Sequence, residues 1–427
     1  MQLSHYLKVY PCDQKPGHVI LFSTRKASIV RLKEKIFQAI EKGGLSPKTE
    51  VLLLKLRMIV PDRDEEQQAM LEYFENLHKL DTAVDFTVIL NLDCNFACTY
   101  CYEGDLKGKH YMSDETALDM LTFMKDRFED GKKSISIDFH GGEPLLSANL
   151  IKRISREMKS FAESRGATFQ FNLISNGSLF KRKLAEELVP LGLDRIKITL
   201  DGPAEIHNQS RPFKSGAKSF DILMENIKAT CDLVKIGIGG NYTPENYEKF
   251  ITLLDLLEAE GLTPDKIPVV KFDPVAKQPG NSSSGCASVN EAWISQADDI
   301  LREEILKRGY HTPKPEPIHC MVEIPDSYVV NFNGMLYKCP ALVGHEAFSV
   351  GHIRTGVEDY AVSHRLGMWK NETCIACEYL PLCFGGCRYM SFVNHGDIDE
   401  LDCRKPFFGT SLERMVKQDI RYRTKAA

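Results

Sequence analysis

The sequence predicts an α/β chain built on a partial (β/α)6 barrel of parallel strands, with a small module before it and a cysteine-rich region after it. Strand-like and helix-like patterns alternate six times between residues 85 and 310, and such alternation implies parallel strands covered by helices. Polar, glycine-bearing turns follow successive strands, where barrels of this kind gather their chemistry. Of thirteen cysteines only Cys12, Cys231 and Cys286 stand apart, so the other ten fall into spaced groups.

The chain has 427 residues, room for two or three domains around a large core. Its formal charge is −5 and its pI near 6.2, so no bulk basic field exists to hold nucleic acid. No run approaches the ~18 apolar residues of a membrane span, and the polar start Met1-Gln2-Leu3-Ser4-His5 is no signal peptide. The expectation is a cytoplasmic protein without nucleic-acid or membrane partners. Disulfides are rare there, so grouped cysteines indicate metal.

Residues 1–80 form the first unit. Tyr6 to Cys12, His18 to Thr24 and Ala27 to Arg31 read as short strands, and helical patterns follow at 32–42, 47–57 and 64–79. Ser46-Pro47 supplies the N-cap and first helical residue of the second helix. Three strands and three helices make a winged-helix-like module.

Residues 81–310 form the second unit. Strands are expected at 86–92, 134–139, 169–174, 195–200, 234–241 and 267–273. Helices are expected at about 114–129, 148–165, 181–189, 218–232, 245–260 and 290–308. Ser113 or Asp114 caps the first helix and Thr243-Pro244 opens the fifth. Six units rather than eight leave the barrel open on one side. The polar stretch 274–285, between the sixth strand and its helix, reads as a long loop near the barrel mouth.

After the first strand comes Cys94-x3-Cys98-x2-Cys101, three thiolates from one short loop. Four thiolates close a [4Fe–4S] cluster, whereas three leave one iron open. A soft triad with no adjacent His or fourth Cys fits Fe–S chemistry better than tetrahedral zinc. A zinc clip or three reduced surface thiols are the other readings. Gly141-Gly142-Glu143-Pro144 follows the second strand, Ser175-Asn176-Gly177 the third, and Thr199-Leu200-Asp201-Gly202 closes the fourth. Singly, each is an ordinary turn. Three such pieces at three successive strand ends, behind the cysteine triad, are not independent accidents.

Together these residues resemble the radical S-adenosylmethionine (SAM) superfamily, whose fold is a partial (β/α)6 TIM-like barrel. The resemblance implies a catalytic cluster on Cys94, Cys98 and Cys101, whose open iron chelates the amino and carboxylate groups of SAM. One electron then cleaves SAM to a 5′-deoxyadenosyl radical that abstracts hydrogen. It also implies SAM-binding roles for Tyr100 near adenine and for Gly141, Gly142 and Glu143 near the amine, where Glu143 accepts a hydrogen bond or fixes the loop. Ser175 and Asn176 would lie beside ribose and carboxylate, with Thr199 and Arg211 at the carboxylate. Members of this layout carry a leader-recognition domain like residues 1–80, where an edge strand takes up a peptide by β-augmentation.

Residues 311–427 hold the second cysteine system, Cys320-x13-Gly334-x4-Cys339, then Cys374-x2-Cys377-x5-Cys383-x3-Cys387, then Cys403. Asn333-Gly334 between strand-like 328–332 and 335–338 reads as a hairpin turn that brings Cys320 and Cys339 together. Two zinc ribbons are the alternative. The series resembles the SPASM extension, which implies two auxiliary [4Fe–4S] clusters and three clusters in all. By that pattern Cys374, Cys377, Cys383 and Cys403 hold one, and Cys320, Cys339 and Cys387 the other, with Cys286 or substrate as a possible fourth ligand.

The resemblance covers the whole chain and implies a peptide-modifying enzyme. Sulfatase maturases, which make formylglycine, place an aspartate base directly after the second SPASM cysteine; here Pro340 follows Cys339. The module and opening residues look most like geopeptide maturases and the sactipeptide and ranthipeptide enzymes, which join a Cys sulfur to carbon. The expected substrate is a Cys-containing precursor peptide, and the expected electron donor a flavodoxin or ferredoxin. Carbon–carbon cross-linking, epimerisation and formylglycine-type oxidation are alternatives, and a non-catalytic Fe–S carrier a distant one.

Overall fold

The computed structural model describes residues 1–42, 44–76, 82–129, 131–275 and 290–423. Cys286 and most of the 274–285 loop lie outside the described residues.

The N-terminal module contains β1 (Gln2–Leu3), β2 (Leu7–Pro11), β3 (His18–Ser23), β4 (Ser28–Lys33), α1 (Glu34–Glu41), α2 (Pro47–Lys55), β5 (Ile59–Val60) and α3 (Arg63–Glu75). Strands β2, β3 and β4 form an antiparallel sheet in that order, and β1 pairs with β5. Ser46 caps α2 by accepting from Thr49 N at 3.3 Å, with Pro47 in the first turn. The period of two in β3 sorts its side chains to two cores. Leu21 joins Leu32, Ile40, Leu53 and Met58 under the module's helices. Ile20 and Phe22 join Tyr379, Phe408, Leu412 and Val416 of the cysteine-rich region. Tyr6, Met70 and Phe74 pack with Trp369 and Phe384. The module is thus docked on the C-terminal region, with Lys8 paired to Glu378 at 2.7 Å.

The barrel follows the expected alternation: β6 (Ala83–Ile89), α4 (Asp114–Asp126), β7 (Ser134–His140), α5 (Ala148–Ser164), β8 (Thr168–Ser175), α6 (Arg182–Leu188) and β9 (Leu193–Thr199). Then come α7 (Ala204–Ser210), α8 (Phe220–Thr230), β10 (Lys235–Tyr242), α9 (Lys249–Ala259), β11 (Val269–Pro274) and α10 (Ala292–Lys307). All six strands are parallel, in sequence order. In β7, Ile135, Ile137 and Phe139 are buried, and α5 answers with Ile151, Ile154, Met158 and Ala162 on one stripe.

Two local expectations shift, and a third is narrowed to one residue. β6 ends at Ile89 because residues 90–92 leave the sheet to bond the 110–112 segment, Met112 N to Leu90 O and Leu92 N to His110 O. Of the two candidate caps on α4, Ser113 accepts from Thr116 N at 3.0 Å. The helix expected from Thr243-Pro244 begins at Lys249, because Asn246 Oδ1 accepts from Thr243 N and turns the chain first.

The cysteine-rich region contributes β12 (Ser327–Val330), β13 (Leu336–Tyr337), β14 (Gly351–His352), β15 (Gly356–Val357), α11 (Glu372–Ile375), α12 (Leu380–Cys383), α13 (Arg388–His395) and α14 (Lys405–Tyr422). The β12–β13 hairpin forms around the Asn333-Gly334 turn, with Gly334 at φ 85°. Its strand β12 also pairs in parallel with β6, extending the barrel sheet to eight strands. The cysteine-rich region is therefore fused to the strand that delivers the Cys94–Cys101 loop. Among the described residues no helix is long and apolar enough to cross a membrane.

Candidate active site

The C-terminal ends of the parallel strands enclose a cleft of about 290 Å³. Cys94, Cys98, Tyr100, Cys101, Gly141, Gly142, Ser175, Asn176, Thr199 and Arg211 all line it. Glu143 alone of the expected barrel residues lies behind the wall, fully buried.

The cysteine loop is fixed at both ends. Ala97 N donates to Pro212 O (2.8 Å) and Thr99 N to Ser210 O (3.0 Å), while Phe96 is buried edge-on against Phe213. On the other side Gly142 N donates to Asn91 O (3.1 Å) and Glu143 N to Asp93 O (2.7 Å). A Cβ on Gly142 would stand 2.0 Å from Asp93 O, so this contact requires glycine. Gly141 sits at φ 113°, where an L side chain is strained.

Glu143 fixes the loops. Its carboxylate accepts from Leu145 N (3.0 Å), Ser175 Oγ (2.8 Å) and Asn176 N (2.8 Å), tying the second and third strand ends together. Burial pushes its pKa up, opposed by the bonds from Asn176 and Leu145. Leaving such buried donors unpaired costs about 1–3 kcal/mol each. Asn176 Nδ2 bonds Asn95 Oδ1 at 2.8 Å, within the cysteine loop.

Tyr100 is the hub of the opposite wall. Its hydroxyl donates to Asp201 Oδ2 (2.5 Å) and accepts from Arg211 Nη1 (2.8 Å) and Asn241 Nδ2 (3.0 Å). Asp201 is fully buried and also accepts from Asn241 N at 2.9 Å. Burial opposes the Arg211 charge, but Tyr100, Cys98 and Asp201 hold its pKa above the usual arginine value. Arg211 Nε is buried without a partner, on the cleft wall beside Thr199. Such a donor suits a carboxylate.

Burial pushes the Cys94 thiol up to about 11 and raises Cys98. Lys107 stands beside all three cysteines, and their charges hold its pKa up against burial. Three thiols, a neighbouring cation and no fourth cysteine are a donor set that fits a [4Fe–4S] cluster with one open iron.

The other seven cysteines separate into two sets. Burial, then the charge of Cys387, pushes Cys339 up to about 12, with Cys320 also acting on it. Cys320 feels Cys387 as well. Cys374, Cys377 and Cys383 each feel Cys403, and each is raised first by burial. Among the described residues no three His, Cys, Asp or Glu side chains are disposed to hold a single metal ion. A cubane cluster binds each thiolate to a different iron and needs no such convergence.

Several residues of the cleft, and Asp201 buried behind it, carry no expected role. Asp201 read as a turn residue, though a buried acid two positions past Thr199 at a strand end was a signal. Lys107, Lys197 and Asn241 line the cleft with no motif around them, and His140 lines it directly before the Gly141–Pro144 motif. Tyr102 and Glu103 follow the third cysteine directly. Burial first, then Glu103, Cys101 and Cys339, raises the Tyr102 pKa.

Residues 88–257 match the Radical SAM superfamily. The PqqA peptide cyclase of Granulibacter bethesdensis is 23% identical over 334 residues, 72% of this chain and 83% of that protein. The structure of native anSMEcpe with bound AdoMet and Kp18Cys peptide superposes with a TM-score of 0.64 at 18% identity, covering 79% of this chain and 99% of that one. Streptococcus suis SuiB bound to precursor peptide SuiA gives 0.56 at 14% identity, covering 94% and 98%. Both structures share the fold. A radical SAM family match implies a [4Fe–4S] cluster and SAM. Residues 88–257 are a radical SAM domain, and the chain is an enzyme similar along most of its length to the PqqA peptide cyclase.

Proposed function

We propose that the chain installs Cys sulfur-to-carbon thioether cross-links in a ribosomally synthesised precursor peptide. The observation that carries this reading is the joining of three parts in one body: a SAM-type cleft, two further cysteine sets, and a strand-bearing module docked beside them. Cys94, Cys98 and Cys101 would hold the catalytic cluster, and Cys320, Cys339, Cys387 and Cys374, Cys377, Cys383, Cys403 two auxiliary ones. When bound, the catalytic cluster and SAM supply a 5′-deoxyadenosyl radical. The chain's own residues position the reactants. Arg211 and Thr199 would receive the SAM carboxylate, and Gly141 and Gly142 leave backbone open to the amine. Ser175, Asn176 and Glu143 set the facing wall, and Tyr100 holds Arg211 in place. A flavodoxin or ferredoxin would supply electrons.

The module would bind the precursor's leader. Among the described residues strand β4 has a sheet partner on one side only, which leaves its other edge for an added strand. Glu34 N donates to Gly17 O, which sets the alternation so that residues 28, 30 and 32 spend their amides on β3. Ile29 and Arg31 then face the open edge. Arg31→Pro is expected to weaken precursor binding at least tenfold, read by fluorescence anisotropy, with the fold and peptide-independent SAM cleavage retained. Unchanged binding would remove β4 from the interface.

The function is tested by anaerobic incubation with SAM, dithionite and a Cys-containing precursor peptide, followed by mass spectrometry. The product is expected to be lighter by two hydrogens per link and to resist alkylation at the joined Cys after reduction. A product two hydrogens lighter with every thiol free to alkylate would replace thioether formation by carbon–carbon coupling.

A further inference from the structure

Arg388 opens α13 directly after Cys387, and it is 1% exposed. A guanidinium carries five N–H donors, and burial makes each unmet one costly. Its Nε donates to His364 O (2.6 Å), and its Nη2 donates to Arg365 O (2.9 Å) and to the Glu323 carboxylate. Its Nη1 has no partner. Glu323 is held in turn by Gly367 N, 3.1 Å from each carboxylate oxygen, three residues after Cys320. The other buried cation here, Lys338, spends its Nζ on the carbonyls of Ile324, Pro325 and Ser327. Arg388 therefore carries a permanent charge, and an N–H with no partner among the described residues, directly beside Cys387. Its charge reaches Cys320.

We propose that Arg388 raises the reduction potential of the cluster held by Cys320, Cys339 and Cys387, with Glu323 as the counter-charge that limits the increase. The inference rests on the reading that these three cysteines hold a cluster. Reduction adds negative charge to a cluster, and a fixed cation or an N–H aimed at its sulfurs stabilises that state. Arg388 is accordingly a tuning residue, acting on the cluster rather than on the peptide.

The test is an EPR-monitored redox titration of the full chain, reconstituted anaerobically with iron and sulfide, in the parent, Arg388→Gln and Glu323→Gln. Arg388→Gln is expected to lower the reduced-to-oxidised ratio of this cluster at fixed potential about tenfold, about 59 mV for one electron. Glu323→Gln is expected to raise it, and it keeps the proposal testable if Arg388→Gln does not fold. The midpoint of the cluster on Cys374, Cys377, Cys383 and Cys403 is expected to stay where it is. Shifts of the same sign in both variants, no shift in Glu323→Gln, or both clusters moving together would overturn the proposal. A parent without iron at Cys320, Cys339 and Cys387 overturns the cluster reading itself, whereas a loaded parent indifferent to both substitutions overturns this inference alone.

Discussion

Replacing Cys94, Cys98 and Cys101 together with Ala is expected to remove about four of about twelve irons per reconstituted chain and to abolish reductive SAM cleavage. The three sulfurs line one cleft with Lys107, and among the described residues no other cysteine lines it. The other two cysteine sets sit in the C-terminal region and should load normally. Iron assay and chromatography of 5′-deoxyadenosine check the two halves separately. About two zinc atoms per chain and little iron would overturn the cluster assignment at all three sites.

Gly142→Ala is expected to lower SAM cleavage about a hundredfold, because a misplacement of about 1 Å at a reacting centre costs that much. The added methyl would meet the Asp93 carbonyl at 2.0 Å, and Asp93 immediately precedes Cys94. Both backbone bonds across this contact, Gly142 N to Asn91 O and Glu143 N to Asp93 O, would lengthen. The measurement is the initial rate of 5′-deoxyadenosine release under dithionite, alongside iron content. A variant with parental rate would mean that the loop yields without moving the cysteines.

Much of this site was legible because its chemistry is written in short, local motifs. Cysteine spacing and paired glycines depend on sequence neighbours, and period-two strands place those motifs at one end of a barrel. What was not legible depends on contacts between distant segments. Asp201 becomes central only because Tyr100 and Asn241 arrive from other strands to bond it. The pairing of β12 with β6 joins residues more than two hundred positions apart, and no local pattern announces it. Glu143 shows the same limit from the other side. Its motif left two roles open, accepting from the amine or fixing the loop, and only its surroundings show a carboxylate that accepts from three internal donors. The start of α9 shifted for a smaller reason, a side-chain turn at Asn246 that competes with the Pro244 signal.

Hydrogen transfer from the peptide tests the central claim most directly. A Cys-containing precursor deuterated at the acceptor carbon is incubated anaerobically with enzyme, SAM and dithionite, and the 5′-deoxyadenosine is analysed by mass spectrometry. The account predicts one deuterium in the 5′-deoxyadenosine for each link formed, together with a peptide that has lost that deuterium and one thiol hydrogen. Unlabelled 5′-deoxyadenosine beside a cross-linked peptide would contradict it.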